Sequence, residues 1–396
     1  MKRRMLLLTL CCWVTYLTAY LCRVNFSSAM DTLSVERALT LDQLGLVGAV
    51  FYGVYACGQL VNGYLGDRVR SNRFIMLALL GTCLCNVGLS MARTLPLILL
   101  CWGINGIFQS MFWSTIIRIL AQNCPADKRA GMSSIISTAM PAAYLVSWSL
   151  LGQCFDGLAA QWYFLLPACV AIVMIGVWLL LSRKLSNAIE PPRSKATLME
   201  TFAFLKKENL HILLLVCLFH GLIKEGVAYW LPLLVHDLPG AGTVPPYLLI
   251  AVLPVANFTG IMLTKLLLRR GPARPLGIIA GLTGSIALVS AGVILGQSLL
   301  LIVGFMALIS GLCYCNNTIL LSYLPMQYTG QQMVASIIGV FDFASYVGAA
   351  VSTYVLGKLL ASAGFAPLPY VWLAAALAAL GIVLGLRRRI GKEKRS

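Results

Sequence analysis

The chain is a succession of apolar runs, each about 18 to 25 residues long, separated by short polar or charged breaks. A helix needs roughly 20 apolar residues to cross the hydrocarbon core of a bilayer. Repeated runs of that length define one fold class, an all-α membrane protein that crosses the bilayer many times. The composition agrees. The chain is 59% hydrophobic and 11% charged, whereas about 25% charge is usual in soluble chains.

Twelve spans are expected, at 5–30, 42–64, 74–91, 96–122, 131–154, 161–182, 210–235, 245–267, 275–295, 298–324, 331–359 and 368–386. The first follows Met-Lys-Arg-Arg, like the charged flank of a signal peptide. It is long and lacks a small-residue cleavage site before the next span, so it reads as a retained helix. Most of the thirteen cysteines lie within spans, among them Cys11, Cys12, Cys83, Cys85, Cys313 and Cys315. Their spacing suits neither a zinc site nor a disulfide framework, and they read as small buried apolar residues. No metal and no cofactor is expected.

A net charge of +17 invites a nucleic-acid reading, and its distribution argues against one. Lys and Arg cluster at the N-terminus, in the 2–3, 4–5, 6–7 and 8–9 connections and in the C-terminal tail. In a twelve-span chain these segments share one side, and they hold 24 of the 30 basic residues. Only Arg37, Arg93 and Lys358 fall on the other side. The positive-inside rule therefore predicts that both termini are cytoplasmic. Arg23, Arg118 and Lys224 are left inside spans.

The longest polar stretch, 183–209, divides the chain into an N-terminal six-helix half (1–182) and a C-terminal six-helix half with a basic tail (210–396). An offset of 201 residues places Arg23 on Lys224, and Leu65, Arg68 and Arg73 on Leu266, Arg269 and Arg274. Parallel six-span repeats around a midplane site describe the major facilitator architecture. The 2–3 loop, GYLGDRVRSNR at 63–73, resembles the G-x-L-(G/A)-D-R-x-G-R-R signature of that superfamily at Gly63, Leu65, Gly66, Asp67 and Arg68. Asp67 with Arg68 and its neighbours is expected to latch helix ends in one conformation.

Arg23 is costly inside a membrane and calls for a cavity or a partner. Tyr16, Tyr20 and Arg23 share one helix face, a donor-rich stripe suited to an oxyanion. The alternative is that Arg23 snorkels to an interface. Lys224 lies near the middle of span seven, with His220 on its face. The two cations are expected to meet across a central cavity. Glu225 points about 100° away from Lys224 on a helix, so no acid is expected to pair with both. Two uncompensated cations would favour an anion, preferably a doubly charged one.

TAYLCRVNFSSAM (18–30) resembles the first-helix motif Y-x-x-R-x-N-F of the organophosphate:phosphate antiporter family, the glycerol-3-phosphate and hexose-phosphate transporters. NGIFQSMFWSTIIRIL (105–120), IKEGVAYWLP (223–232) and FASYVGAA (343–350) are similar to that family's fourth-, seventh- and eleventh-helix patterns. The resemblance implies a phosphate-binding role for Arg23 and Lys224. It implies cavity-lining roles for Tyr16, Tyr20, Trp113 and Tyr346. There are three departures. Lys224 stands in place of an arginine and cannot fork. Gln59 aligns with the family's second-helix lysine, and Met140 with its fifth-helix histidine.

Arg118 fits a structural latch or snorkelling better than substrate binding. Asp342 and Glu225 divide between coupling or specificity and structural pairing, and His220 between packing and proton relay. Asn316 and Asn317 either line the cavity or bond between helices. The function implied is a secondary transporter that exchanges an organophosphate for inorganic phosphate by alternating access. It is expected to act as a monomer in a bacterial inner membrane, with no nucleic-acid partner. Two facing empty cations would repel, which favours exchange. The alternatives are a proton-coupled carboxylate symporter and a transporter-like sugar-phosphate sensor. No nucleotide loop, metal cluster or nucleophile–base motif suggests an enzyme.

Overall fold

The computed structural model describes residues 2–151, 159–189, 197–235, 244–270, 275–296 and 298–393. Positions 190–196 of the expected linker, Arg274 and residues 394–396 of the tail lie outside the described residues. Among the described residues, eleven helices are long and apolar enough to cross a membrane. Spans one to four are Met5–Ser28, Leu41–Gly66, Ser71–Met91 and Leu95–Asn123, and span six is Gln161–Leu181. Spans seven to twelve are Leu210–Leu234, Pro246–Arg269, Pro275–Leu295, Leu299–Met326, Val334–Ala363 and Leu368–Arg389. Backbone polar groups have no water to bond in hydrocarbon, so apolar runs of this length fold as helices.

Span five is helical but broken. It consists of Arg129–Ser137, Ala139–Leu145 and a π-helical turn, Val146–Leu151. Pro141 has no N–H to give the carbonyl of Ser137, so the α-helical ladder stops beside it. The chain also forms helix where polar sequence suggested a connection. The sixth helix runs on to Ile189. Leu198–Lys207 is a separate helix closed by a capping box between Thr197 and Glu200.

Polar side chains bolt the first half together. Asn25 Nδ2 donates to Asn86 Oδ1 at 2.6 Å and to the Tyr163 carbonyl at 3.0 Å. Asn86 and Asn105 both donate to the Cys22 carbonyl, and Gln109 donates to the Ala19 carbonyl at 2.9 Å. Spans one, three, four and six are thereby fixed to each other beside Arg23. Side chains such as Leu84, Leu180, Leu288 and Leu300 stay exposed on the outside, where lipid is an adequate solvent.

Span two of the first half packs against span eleven of the second along both their lengths. A Cβ on Gly339 would clash with the Gln59 carbonyl oxygen, and one on Gly45 would sit 3.0 Å from the Thr353 carbonyl oxygen. Glycine at both ends of this seam lets the backbones touch.

Candidate substrate site at the seam of the two halves

Arg23 is buried, so it does not snorkel. Its guanidinium carbon lies 4.9 to 5.5 Å from the ring centroids of Tyr20, Phe51, Tyr52, Tyr55 and Tyr346. Aromatic faces attract a desolvated cation by about 2 kcal/mol, which offsets part of the cost of burying it. Arg23 Nη1 donates to the Tyr346 hydroxyl at 3.0 Å. Tyr346 belongs to span eleven, so Arg23 already reaches across the seam.

Lys224 is fully buried on span seven and meets the same place from the second half. Here the structure corrects an expectation. Glu225 pairs with both cations: its Oε1 is 2.5 Å from Lys224 Nζ and 3.5 Å from Arg23 Nη2. Its Oε2 accepts from the Tyr52 hydroxyl at 2.9 Å. The backbone directions of residues 224 and 225 do diverge, but the flexible lysine stem swings its ammonium back to the carboxylate. The driving force is desolvation, which costs several kcal/mol per unpaired buried ion. With Glu225 between them, the two cations repel each other far less than two unpaired charges would.

The aromatic residues divide by role. Tyr16 packs edge-on to Tyr20 at 5.0 Å and against Trp113 at 4.7 Å. The Trp113 indole N–H donates to the Leu321 carbonyl of span ten at 3.1 Å. Pro325 has no N–H to offer that carbonyl in an α-helix, and a π-helical turn, Ile319–Tyr323, passes through it. Gln59 is wholly buried and donates to the Tyr55 hydroxyl at 2.8 Å. His220 lies beside Asn317 of span ten. Asn316 donates to Thr283 Oγ1 of span nine at 3.2 Å, a bond between helices. Asp342 is buried near the cluster and forms no ion pair among the described residues.

Tyr52, Tyr55, Tyr144 and Tyr229 also surround the centre, and the sequence reading passed over them. FYGVYACGQ (51–59) carried a signal, because Tyr52, Tyr55 and Gln59 recur at helical spacing on one face.

Both ends of the seam are closed. On the basic face, Asp67 accepts from the Ala335 and Ser336 N–H groups at 3.2 and 2.8 Å, and from Ser336 Oγ at 2.7 Å. These donors open span eleven, whose own N-cap residue, Met333, supplies no side-chain cap. Asp67 thus caps a helix of the opposite half. Burial raises its carboxyl above the ordinary carboxylate range, against the pull of these donors and of Arg118. Arg118 lies 3.5 Å from Asp67 and donates to the Gly66 carbonyl. Arg68, expected beside Asp67, turns back instead onto Tyr64 of its own helix. On the opposite face, the Tyr229 hydroxyl donates to the Leu44 carbonyl at 2.6 Å. The space beside Arg23, Tyr52, Tyr144 and Tyr229 is about 20 Å³, enough for about one water and too small for a phosphate. Contacts at both ends of the seam separate this space from either face.

The chain is similar to known transporters. It is 28% identical over 159 residues to the probable hexose phosphate transport protein of Chlamydia trachomatis, covering 40% of this chain and 35% of that one. The chain thus spans about a third of the length of that relative. Against the phosphoglycerate transporter protein of Salmonella typhimurium it is 22% identical, over 88% of this chain and 82% of the relative. Against the D-galactonate transporter of an Escherichia coli strain it is 24% identical, over 98% and 97%. The crystal structure of the human organic anion transporter MFSD10 shares the fold, with a TM-score of 0.71 at 16% identity, over 96% of this chain and 99% of that one. The family profile of the Major Facilitator Superfamily matches residues 12–353, so the chain belongs to the Major Facilitator Superfamily.

Proposed function

We propose that this transporter moves a small phosphorylated anion, in exchange for inorganic phosphate, between the two six-helix halves. The observation that carries the proposal is the meeting of Arg23 and Lys224, one from each half, on a single carboxylate oxygen at 3.5 and 2.5 Å. An oxygen of an anionic solute would take that same position. The guanidinium fork and the ammonium would bind it by charge-assisted hydrogen bonds, and the halves would close on it. Tyr20, Tyr52 and Tyr346 supply hydroxyls at the same centre. Relatives named for hexose phosphate and phosphoglycerate transport support a phosphorylated solute. The basic face is assigned to the cytoplasm of a bacterial inner membrane by the positive-inside rule, with the monomer as the working unit.

A second reading, a carboxylate symporter, draws on the D-galactonate relative and on the buried carboxyl of Asp342. Labelled phosphate uptake into liposomes bearing the purified protein separates the two. Phosphate entry that competes with organic phosphates supports the first reading. Uptake of hexonates that collapses with a protonophore, without phosphate entry, supports the second.

A further inference from the structure

We infer that Glu225 is a built-in counter-anion that stands in the substrate's place and lets the empty carrier close and return. This rests on Arg23 and Lys224 being the anion site. Glu225 is carried by the second half, and it is held by two groups of the first half, Arg23 and Tyr52, as well as by its neighbour Lys224. All four residues are buried. The carboxylate therefore clips the halves together at the point where a bound anion would do so, while both ends of the seam are shut. With Glu225 counted, Arg23 and Lys224 leave a net charge of +1 rather than +2. The remaining acid nearby, Asp342, makes no ion pair among the described residues.

Two consequences follow. Exchange is not obligatory, because the carrier reorients with Glu225 in the site when no substrate is bound. Substrate also has to displace Glu225, so the carboxylate weakens apparent affinity as a competitor inside the site.

The test compares wild type with Glu225→Gln in proteoliposomes, using labelled inorganic phosphate. Initial rates are measured with phosphate inside, for exchange, and without it under a potassium–valinomycin clamp, for net uptake. The expected result is substantial net uptake in wild type. In Glu225→Gln the ratio of net uptake to exchange falls about tenfold, the rate equivalent of one charge-assisted contact, and the KM of exchange falls. An unchanged ratio in the variant, with exchange present, overturns the inference. Absence of both fluxes in folded wild type overturns the phosphate reading instead. A substrate-free measurement then decides the fate of the clip. Spin labels at Val35 and Ser362 report the opposite face. The ligand-free wild type is expected to give a narrow distance distribution and Glu225→Gln a broadened one. Identical distributions refute the clip whatever the substrate.

Discussion

Replacing Asp67 by Asn removes one negative charge from the point where span two of the first half meets span eleven of the second. The carboxylate accepts three hydrogen bonds from Ala335 and Ser336. Burial of the carboxylate works against them, so each is counted at its net value of about 1 kcal/mol. Asn keeps one acceptor oxygen, and with it part of this sum. It loses the rest, together with about 0.5 kcal/mol or more from the helix N-terminus and the attraction of Arg118. The closed basic face should lose about 2–3 kcal/mol, a shift of roughly 30- to 160-fold in the closed-to-open ratio. Spin labels at Arg70 and Gln327, with the exposed Cys57 and Cys169 changed to Ser, span this seam. In the wild type one short distance should dominate, and in Asp67→Asn a second, longer population should appear. If the two distributions superimpose, Asp67 does not latch the halves.

Leucine at Gly339 should open the basic face and leave the opposite face shut, because its Cβ would meet the Gln59 backbone. Leucine at Gly357, which lies against Gly45 and Trp230, should do the reverse, and the two label pairs described above read both outcomes. Lys224→Arg adds a fork and should lower the KM for phosphate by up to about tenfold, as measured by exchange kinetics. Trp113→Phe removes the hydrogen bond to Leu321. It should weaken closure of the basic face by about 1 kcal/mol, seen as a modest lengthening between Arg70 and Gln327.

The apolar runs made the spans legible, because a continuous apolar run of roughly 20 residues matches a membrane-crossing helix, which satisfies its own backbone polar groups. The two buried cations were legible through the 201-residue offset between the halves. Their counter-ion was not. A helical wheel fixes where the Cα–Cβ bond of Glu225 points, but not where a four-carbon lysine stem can bring its ammonium. The role of Trp113 was hidden for a related reason, since its partner is a backbone carbonyl beside a π-helical turn and only the fold brings the two together. Asn25 and Gln109 lie inside the motifs that resemble phosphate transporters, yet their amides bind backbone and side chains of neighbouring helices. Part of such a motif therefore encodes the placement of Arg23 rather than contact with solute. Adjacency in sequence suggested that Arg68 would meet Asp67, but its side chain turns back onto Tyr64. Arg118, distant in sequence, is the residue that reaches Asp67.

If Arg23 and Lys224 together form an anion site between the halves, exchange needs both side chains. The most direct measurement is initial-rate uptake of labelled phosphate by wild type, Arg23→Ala and Lys224→Ala in phosphate-loaded liposomes, with folding checked by size-exclusion and thermal unfolding. Exchange is expected in wild type, with a loss of at least about 100-fold in each variant, the rate equivalent of about 3 kcal/mol. Normal exchange in either folded variant would contradict such a site.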